Sequence, residues 1–435
     1  MKDVIESRKY DAPTPANETE SGFRKIFKKL GPGLITGASD DDPSGIATYS
    51  QIGAHFGFSM LWTILLSYPL MGAIQEISAR IGRVTGRGIA GNIRKYYSRW
   101  LAFLIVGLMV TANIINIGAD IAAMGSSLKL LIGGPALLYS AVFSLISIYL
   151  QIFIPYSKYV RYLKWLTMSL FAYIITVMIV KVPWGTTIFN TFIPNFSLNP
   201  VYLTSLIAVL GTTISPYLFF WQASQEVEEI KTKDEDEALK KAPEQAQGQI
   251  KRIKIDTYIG MAFSNLVSYF IILASAVTLH LKHVTEINTA ADAAAALKPL
   301  AGEFSFLLFS AGIIGTGLLA IPVLAGSAAY AVGEAFRWKI GLEQKPRRAR
   351  NFYSVLALSI ILGLAIDFTP INPIKALFWA AVINGITAGP VMIMLMLMSA
   401  NKKVMGDFTI SRGLKVMGWL STLVMILASV GLFLT

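Results

Sequence analysis

The sequence predicts an all-α polytopic membrane protein with eleven transmembrane helices, the first and the sixth interrupted near their middles. Three observations carry this. Of 435 residues, 54% are apolar and only 15% charged, against roughly 25% charged in a soluble domain, and the mean hydropathy is +0.57. The apolar residues fall into blocks of about twenty, the length that crosses the hydrocarbon core as a helix. Two of these blocks contain helix-breaking clusters. A soluble, disordered or fibrous protein is excluded by composition, and the absence of cysteine removes disulfides, thiolate metal sites and cysteine nucleophiles.

Apolar runs between charge clusters place the spans at 33–55, 58–79, 101–127, 135–155, 161–180, 203–224, 255–280, 304–336, 352–368, 374–399 and 413–434. Residues 1–30 end in Arg24, Lys25, Lys28 and Lys29 and read as a cytoplasmic tail, with no cleavable signal peptide before the first span. The expected units are this tail, a first five-helix repeat over 31–182, a second over 203–399, and a final helix at 413–434.

Orientation follows from the basic residues. The tail and the segments 80–100, 156–164, 225–254, 337–351 and 400–415 hold 33 of the 38 Lys and Arg. Lys129, Lys181, Lys282, Lys298 and Lys375 fall on the other side. Positive residues collect in the cytoplasm, so the N-terminus is expected inside and the C-terminus outside. The net charge of +12 is thereby a topology signal, and no nucleic-acid partner is expected. The acid-rich loop 225–254 reads as a solvated cytoplasmic linker or short helix.

In the first span, Asp40, Asp41 and Asp42 run directly into Pro43, Ser44 and Gly45. Pro43 removes a backbone donor and disfavours helical geometry at Asp42, so an unwound segment between two half-helices is expected. Of the three acids, one is expected to face a site while another caps a half-helix or meets water. The sixth span carries Gly211, Thr212, Thr213, Ile214, Ser215 and Pro216 at the corresponding depth. Spans one and six each open a run of five helices. Paired broken helices point to an inverted-repeat transporter whose substrate sits where the breaks meet.

Carbonyls freed by the breaks, a carboxylate and hydroxyls form an oxygen-rich cavity suited to hard cations. Asp42 supplies the charge, and Ser215 and backbone carbonyls near Thr212 supply neutral oxygens. Neither break contains Met, His or Cys, which leaves magnesium, calcium and manganese in play. One strong carboxylate with few other protein ligands matches the way magnesium keeps several of its waters.

At these motifs the sequence resembles the Nramp family of divalent metal transporters, whose fold is of the leucine-transporter type. The family's D-P-G-N corresponds to Asp42, Pro43, Ser44 and Gly45, and its A-x-x-M-P-H to Thr212 through Tyr217. Ser78 to Gly86 and the Ala119–Asp120 pair are also Nramp-like, and the likeness spans the chain from about Gly31 onward. The resemblance implies a metal site at Asp42, Gly45, Thr212 and Ser215. The family's asparagine is here Gly45 and its methionine Ser215, so an amide and a soft ligand are lost and the cavity is expected to admit a hydrated ion. In this the chain is similar to the Nramp-related magnesium transporters, which carry Mg²⁺ and also Mn²⁺. The family histidine is Tyr217, which does not titrate near neutral pH, and a further family acid is Ala123. Uptake uncoupled from protons and driven by membrane potential is therefore expected.

Asp120, Tyr217, Gln222 and Asn384 are pathway candidates. For Asp120 a structural polar pairing competes with an ion-pathway role, and for Gln222 and Asn384 helix packing does. Asn113, Asn116 and Asn265 rank below them. His55, His280 and His283 lack metal-ligand spacing. Trp62, Trp100 and Tyr162 read as interfacial anchors, and the Gly33–Gly37 spacing as a close-packing signal. No phosphate loop, nucleophile triad or paired catalytic carboxylates appear, so no enzyme and no cofactor are expected. The expected partners are the divalent ion and the bilayer, with the chain acting as a monomer in a bacterial plasma membrane. Competing readings are a proton-coupled Mn²⁺/Fe²⁺ transporter, an amino-acid or organic-cation transporter of the same architecture, and a membrane sensor or scaffold.

Overall fold

The computed structural model describes residues 36–37, 40–155, 158, 166–233 and 235–434. The tail, Gly33, Tyr162, Asp234 and the start of the fifth span lie outside them. Fourteen helices of eight or more residues are defined among the described residues. The first is α1 (Pro43–Phe56), followed by α2 (Leu61–Thr85), a short α3 (Ile89–Tyr96), α4 (Arg99–Ile132) and α5 (Ala136–Phe153). Next come α6 (Phe171–Ile179), α7 (Trp184–Phe192), α8 (Pro200–Thr213) and α9 (Pro216–Thr232). The chain ends with α10 (Ala246–Thr278), α11 (Ser305–Phe336), α12 (Arg350–Ile366), α13 (Pro373–Ala400) and α14 (Arg412–Leu434). No strand occurs among the described residues.

Local chemistry sets the boundaries. Four helices, α1, α8, α9 and α13, begin on proline, whose missing N–H is no loss in the first turn. Asp42, Asn199 and Asn372 cap three of these by accepting backbone N–H groups. Gly86 closes α2 in the left-handed region at φ 64°, which a side chain would disfavour.

Every expected span has a helical counterpart, with two extensions. The third runs from Arg99 to Ile132, and the seventh begins at Ala246, well inside the loop read as linker. Helix α7, between the fifth and sixth spans, was not anticipated. The loop contacts sort into two ends, as the alternating assignment requires. At one end Lys240 Nζ reaches the Val404 carbonyl at 3.2 Å and Gly88 N–H donates to Glu334 at 2.7 Å. At the other, Gln51 accepts from Ile287 N–H at 2.9 Å and Asn372 donates to the Asn288 carbonyl at 2.8 Å. The first is the Lys/Arg-rich end, here termed the basic end.

The acid-rich loop 225–254 is not simply solvated. Helix α9 continues through Thr232, and Glu226 and Glu228 are buried. Arg83, fully buried near the end of α2, pairs with Asp236 at 2.8 Å, and Arg252 with Glu226 at 2.5 Å and Glu229 at 3.0 Å. Leu239 and Lys240 donate backbone N–H groups to the carbonyls of Arg83 and Val84. The acids are there to neutralise two arginines lying beneath them. Trp62 is likewise buried rather than interfacial, whereas Trp100 is 82% exposed, as an anchor should be. Gly33 lies outside the described residues, and its expected partner Gly37 lies against Gly260 of α10.

Small residues let the central helices touch. At Gly211 of α8 any Cβ would overlap the Ala381 carbonyl and the Gly385 backbone of α13, and at Gly82 the Ala223 carbonyl of α9. Helix α1 packs on α10, α13 and α8, and α4 runs beside α11, α12 and α13. The α8–α9 stretch is the most enclosed of the long apolar segments, while α5 and α14 face outward. The two breaks thus fall in the protein interior.

Candidate metal-ion site

The first break is short. Asp40 is still helical, Asp41 bends, and Asp42 is extended at φ −72°, ψ 171° before α1 begins at Pro43. Asp42 caps α1 itself: its Oδ1 accepts from Gly45 N–H at 2.7 Å and from Ser44 Oγ at 2.7 Å. The acids therefore divide their tasks differently from the expectation. The capping acid and the acid turned to the bundle centre are the same residue, and none of the three meets water. Asp40 and Asp41 turn to α10, where Ser264 Oγ reaches Asp40 Oδ2 at 2.6 Å and Asp41 Oδ1 at 3.2 Å. Ser268 Oγ lies 3.3 Å from the same Asp41 oxygen.

The second oxygen of Asp42 accepts from Asn116 Nδ2 at 2.8 Å. Asn384 Nδ2 in turn approaches Asn116 Oδ1 at 3.4 Å, and Asn384 Oδ1 is buried without a hydrogen-bond partner. A polar line Asp42–Asn116–Asn384 thus crosses from the first break through α4 to α13. The sequence does not say which residue of this 34-residue apolar helix faces the first break.

The sixth-span break meets the first through Gly45. A Cβ at that position would lie 3.1 Å from Thr212 Oγ1 and 3.5 Å from Asp42 Oδ1. Thr212 and Ser215 are both buried. Ser215 Oγ donates to the Gly211 carbonyl at 2.7 Å and to the Thr212 carbonyl at 3.0 Å, covering carbonyls that the break releases. Asp42, Gly45 and Thr212 are therefore brought together, with Ser215 one layer behind Thr212.

The pathway candidates separate. Asp120 is buried, and its carboxylate faces the Ser44 N–H and the Asp42 charge. Tyr217 is buried within electrostatic reach of Asp42, Asp40 and Asp120. Gln222 Oε1 accepts from Thr36 Oγ1 at 2.5 Å, tying α9 to the chain before the first break. Asn113 donates to the Leu324 carbonyl and Ser327, and Asn265 to the Ile64 carbonyl, as packing amides. His280 donates from Nδ1 to the Ala54 carbonyl at 2.8 Å.

The chemistry around Asp42 is carboxylate, amide and hydroxyl. No group of three or more His, Cys, Asp or Glu suited to hold a metal converges among the described residues. A single thioether, that of Met124, packs on Gly317 beside the Pro43 ring. The site is closed to solvent, with Asp42 1% exposed. A 360 Å³ cavity at the end opposite the basic one reaches Ala47, one turn along α1, and is lined by Gln51, Glu286 and Asn288 among others.

Two interrupted helices meeting at one buried carboxylate, inside an all-helical bundle, define a membrane transport protein rather than an enzyme. The known proteins it resembles agree. The family described as natural resistance-associated macrophage protein-like matches residues 33–435. The divalent metal cation transporter MntH of Mesorhizobium japonicum is 27% identical, over 91% of this chain and 86% of its own. Among solved structures, the manganese transporter of Eremococcus coleocola superposes with a TM-score of 0.70 at 17% identity, over 95% of this chain and 87% of the other. MhsT, solved in complex with L-phenylalanine, superposes with a TM-score of 0.59 at 12% identity, over 91% and 98%. The fold is that of the leucine-transporter type. The chain belongs to the Nramp family.

Proposed function

We propose that this protein takes up divalent metal ions, Mg²⁺ foremost and Mn²⁺ as well, as partly hydrated ions and without proton coupling. The observation that carries this reading is Asp42, one buried carboxylate flanked by Asn116, Gly45 and Thr212 with hydroxyl and amide groups around it. Hard oxygen and amide donors favour Mg²⁺ and Mn²⁺ over softer ions. The relatives named as divalent metal cation transporters support the charge class of the cargo. Asp42 would bind the ion directly, Thr212 and the sixth-span carbonyls would add neutral oxygens, and Asn116 would hold the carboxylate in place.

Transport alternates access to this site from the two ends of the bundle, with the five-helix units 31–182 and 203–399 moving relative to each other. An ion of two charges gains about 4.6 kcal/mol per 100 mV of inside-negative potential, which accumulates the cargo without protons. The protein acts as a monomer in a bacterial plasma membrane, with the N-terminus in the cytoplasm and the C-terminus outside; the Lys and Arg distribution supports this orientation.

The test is flux into proteoliposomes with an internal pH dye. Mg²⁺ uptake that rises with inside-negative potential and leaves internal pH unchanged is the expected result. Robust Mn²⁺ flux with internal acidification and no Mg²⁺ flux would reject it in favour of a proton-coupled Mn²⁺ carrier. The buried Asp120 is the observation that favours that second reading, since it offers a second carboxylate beside the site.

A further inference from the structure

At the basic end a 370 Å³ pocket lies between the C-terminal ends of α2, α9 and α11 and the short helix α3. Its lining carries five cations, Arg87, Arg94, Lys95, Lys231 and Arg337, against one acid, Glu334. That acid is already engaged: its two oxygens accept Gly88 N–H at 2.7 Å and Gly91 N–H at 2.9 Å, at the start of α3. None of the five cations forms an ion pair among the described residues, whereas the arginines a few residues away, Arg83 and Arg252, are paired repeatedly. The contrast is one of design within a single face. One set of cations is closely paired, whereas the five around the pocket share Glu334 and Glu228 only at longer range, an excess of positive charge.

Two local features keep the charges converging. Arg337 closes α11 as a left-handed C-cap at φ 61°, which turns the chain so that its side chain joins the pocket lining. Arg94 donates to the Ala335 carbonyl while its Nε is buried without a partner. Desolvation and the nearby Arg337 and Arg99 push the Arg94 guanidinium below its usual range. Burial would raise the Tyr96 phenol, yet Lys95, Lys240 and Arg87 together hold it below its ordinary value.

An aromatic shelf adjoins the pocket. Phe336 stacks on Trp338 with ring centroids 5.1 Å apart, and Phe103 packs on Phe336 at 5.3 Å. Phe336 is 51% exposed and Trp100 82% exposed, the pattern of side chains that settle at the level of lipid headgroups. We propose that this pocket binds the phosphate of an anionic phospholipid from the adjoining leaflet, its acyl chains lying along the Phe103–Phe336–Trp338 shelf. Basic pockets between membrane helices bind acidic headgroups by this chemistry, and the guanidinium forks of Arg87 and Arg337 suit the phosphate oxygens. A headgroup seated there would bridge α3 to α9 and α11.

The experiment is native mass spectrometry of the detergent-purified full chain titrated with phosphatidylglycerol or phosphatidylcholine, with and without millimolar inorganic phosphate. Expected is one tightly retained phosphatidylglycerol, preferred over phosphatidylcholine. It should weaken roughly 30-fold in the double variant Arg87→Gln/Arg337→Gln and resist displacement by inorganic phosphate. Lys95→Gln/Lys231→Gln, both on exposed side chains, should weaken it in the same direction and decides the matter if the arginine variant does not elute as a folded protein. Equal retention of the two lipids, or undiminished retention in the variants, overturns the proposal. Complete displacement by inorganic phosphate also overturns it, because the ligand would then be a soluble phosphate.

Discussion

Asn116 donates its side-chain amide to Asp42 at 2.8 Å across 74 residues of sequence. Together with the Gly45 N–H and Ser44 Oγ on the other oxygen, it fixes which way the buried carboxylate points. The same amide presents its oxygen to Asn384, so the orientation of one acid is set by residues from two further helices. Partners that orient a metal ligand are worth about 10–100-fold in affinity. Asn116→Ala should raise the Mg²⁺ concentration for half-maximal uptake by about that range. Asn384→Ala, one bond further out, should have a smaller effect that shrinks when Asn116 is already gone. Unchanged concentration dependence in Asn116→Ala would remove Asn116 from the site.

Asp42 holds two roles that one substitution confounds and two can separate. Asp42→Ala removes both the charge and the cap on α1, the latter worth about 1 kcal/mol. Asp42→Asn keeps an oxygen for the Gly45 N–H, and so the cap, while removing the charge and the acceptor for Asn116. Both variants should lose ion uptake, and Asp42→Asn should melt closer to the parent protein than Asp42→Ala does. Uptake retained by Asp42→Asn would contradict a carboxylate ligand.

Selectivity should follow ligand softness. Ser215→Met introduces a thioether behind Thr212, and thioethers favour softer ions. Competition of Mn²⁺ and Cd²⁺ against Mg²⁺ uptake should strengthen in this variant. Gly45→Asn adds an amide but drives its Cβ to 3.1 Å from Thr212 Oγ1. It should destabilise by about 1–3 kcal/mol through overpacking, and Thr212→Ala should recover part of the loss. An unaltered ion order in Ser215→Met would count against softness as the determinant.

Much of this was legible in the sequence, for identifiable reasons. Apolar block length fixed the spans, and a proline directly after an acid fixed the first break to within two residues, because both effects are local. Helix α7 was missed because nine residues beginning at Trp184 are too few to register as a span. The partners of Asp42 were not legible either. Asn116 looks like Asn113 three residues earlier in α4, yet one reaches a carboxylate and the other the Leu324 carbonyl. Only the rotation of α4 against α1 and α11 distinguishes them. The acid-rich loop misled for the same reason: acidic runs are usually solvated, and the buried Arg83 that recruits these acids comes from a helix more than 140 residues earlier.

That arginine supports a last prediction. Arg83 is fully buried and faces Glu226, Glu229 and Asp236, while Arg252 shares the first two. The network ties the end of α2 to α9, the loop after it and the start of α10, all at the basic end. Removing one member of a buried ionic cluster leaves the others desolvated and uncompensated, at a cost of about 3–5 kcal/mol. Arg83→Met should therefore lower the melting temperature of the purified protein markedly. Asp236→Asn should cost less, because Asp236 is partly exposed and Arg83 keeps Glu226 and Glu229 nearby. Combining Arg83→Met with Glu226→Gln and Asp236→Asn removes charge of both signs and should regain stability over Arg83→Met alone. A triple variant less stable than the single one would mean that Arg83 acts by packing, and that the ion pairs around it contribute little.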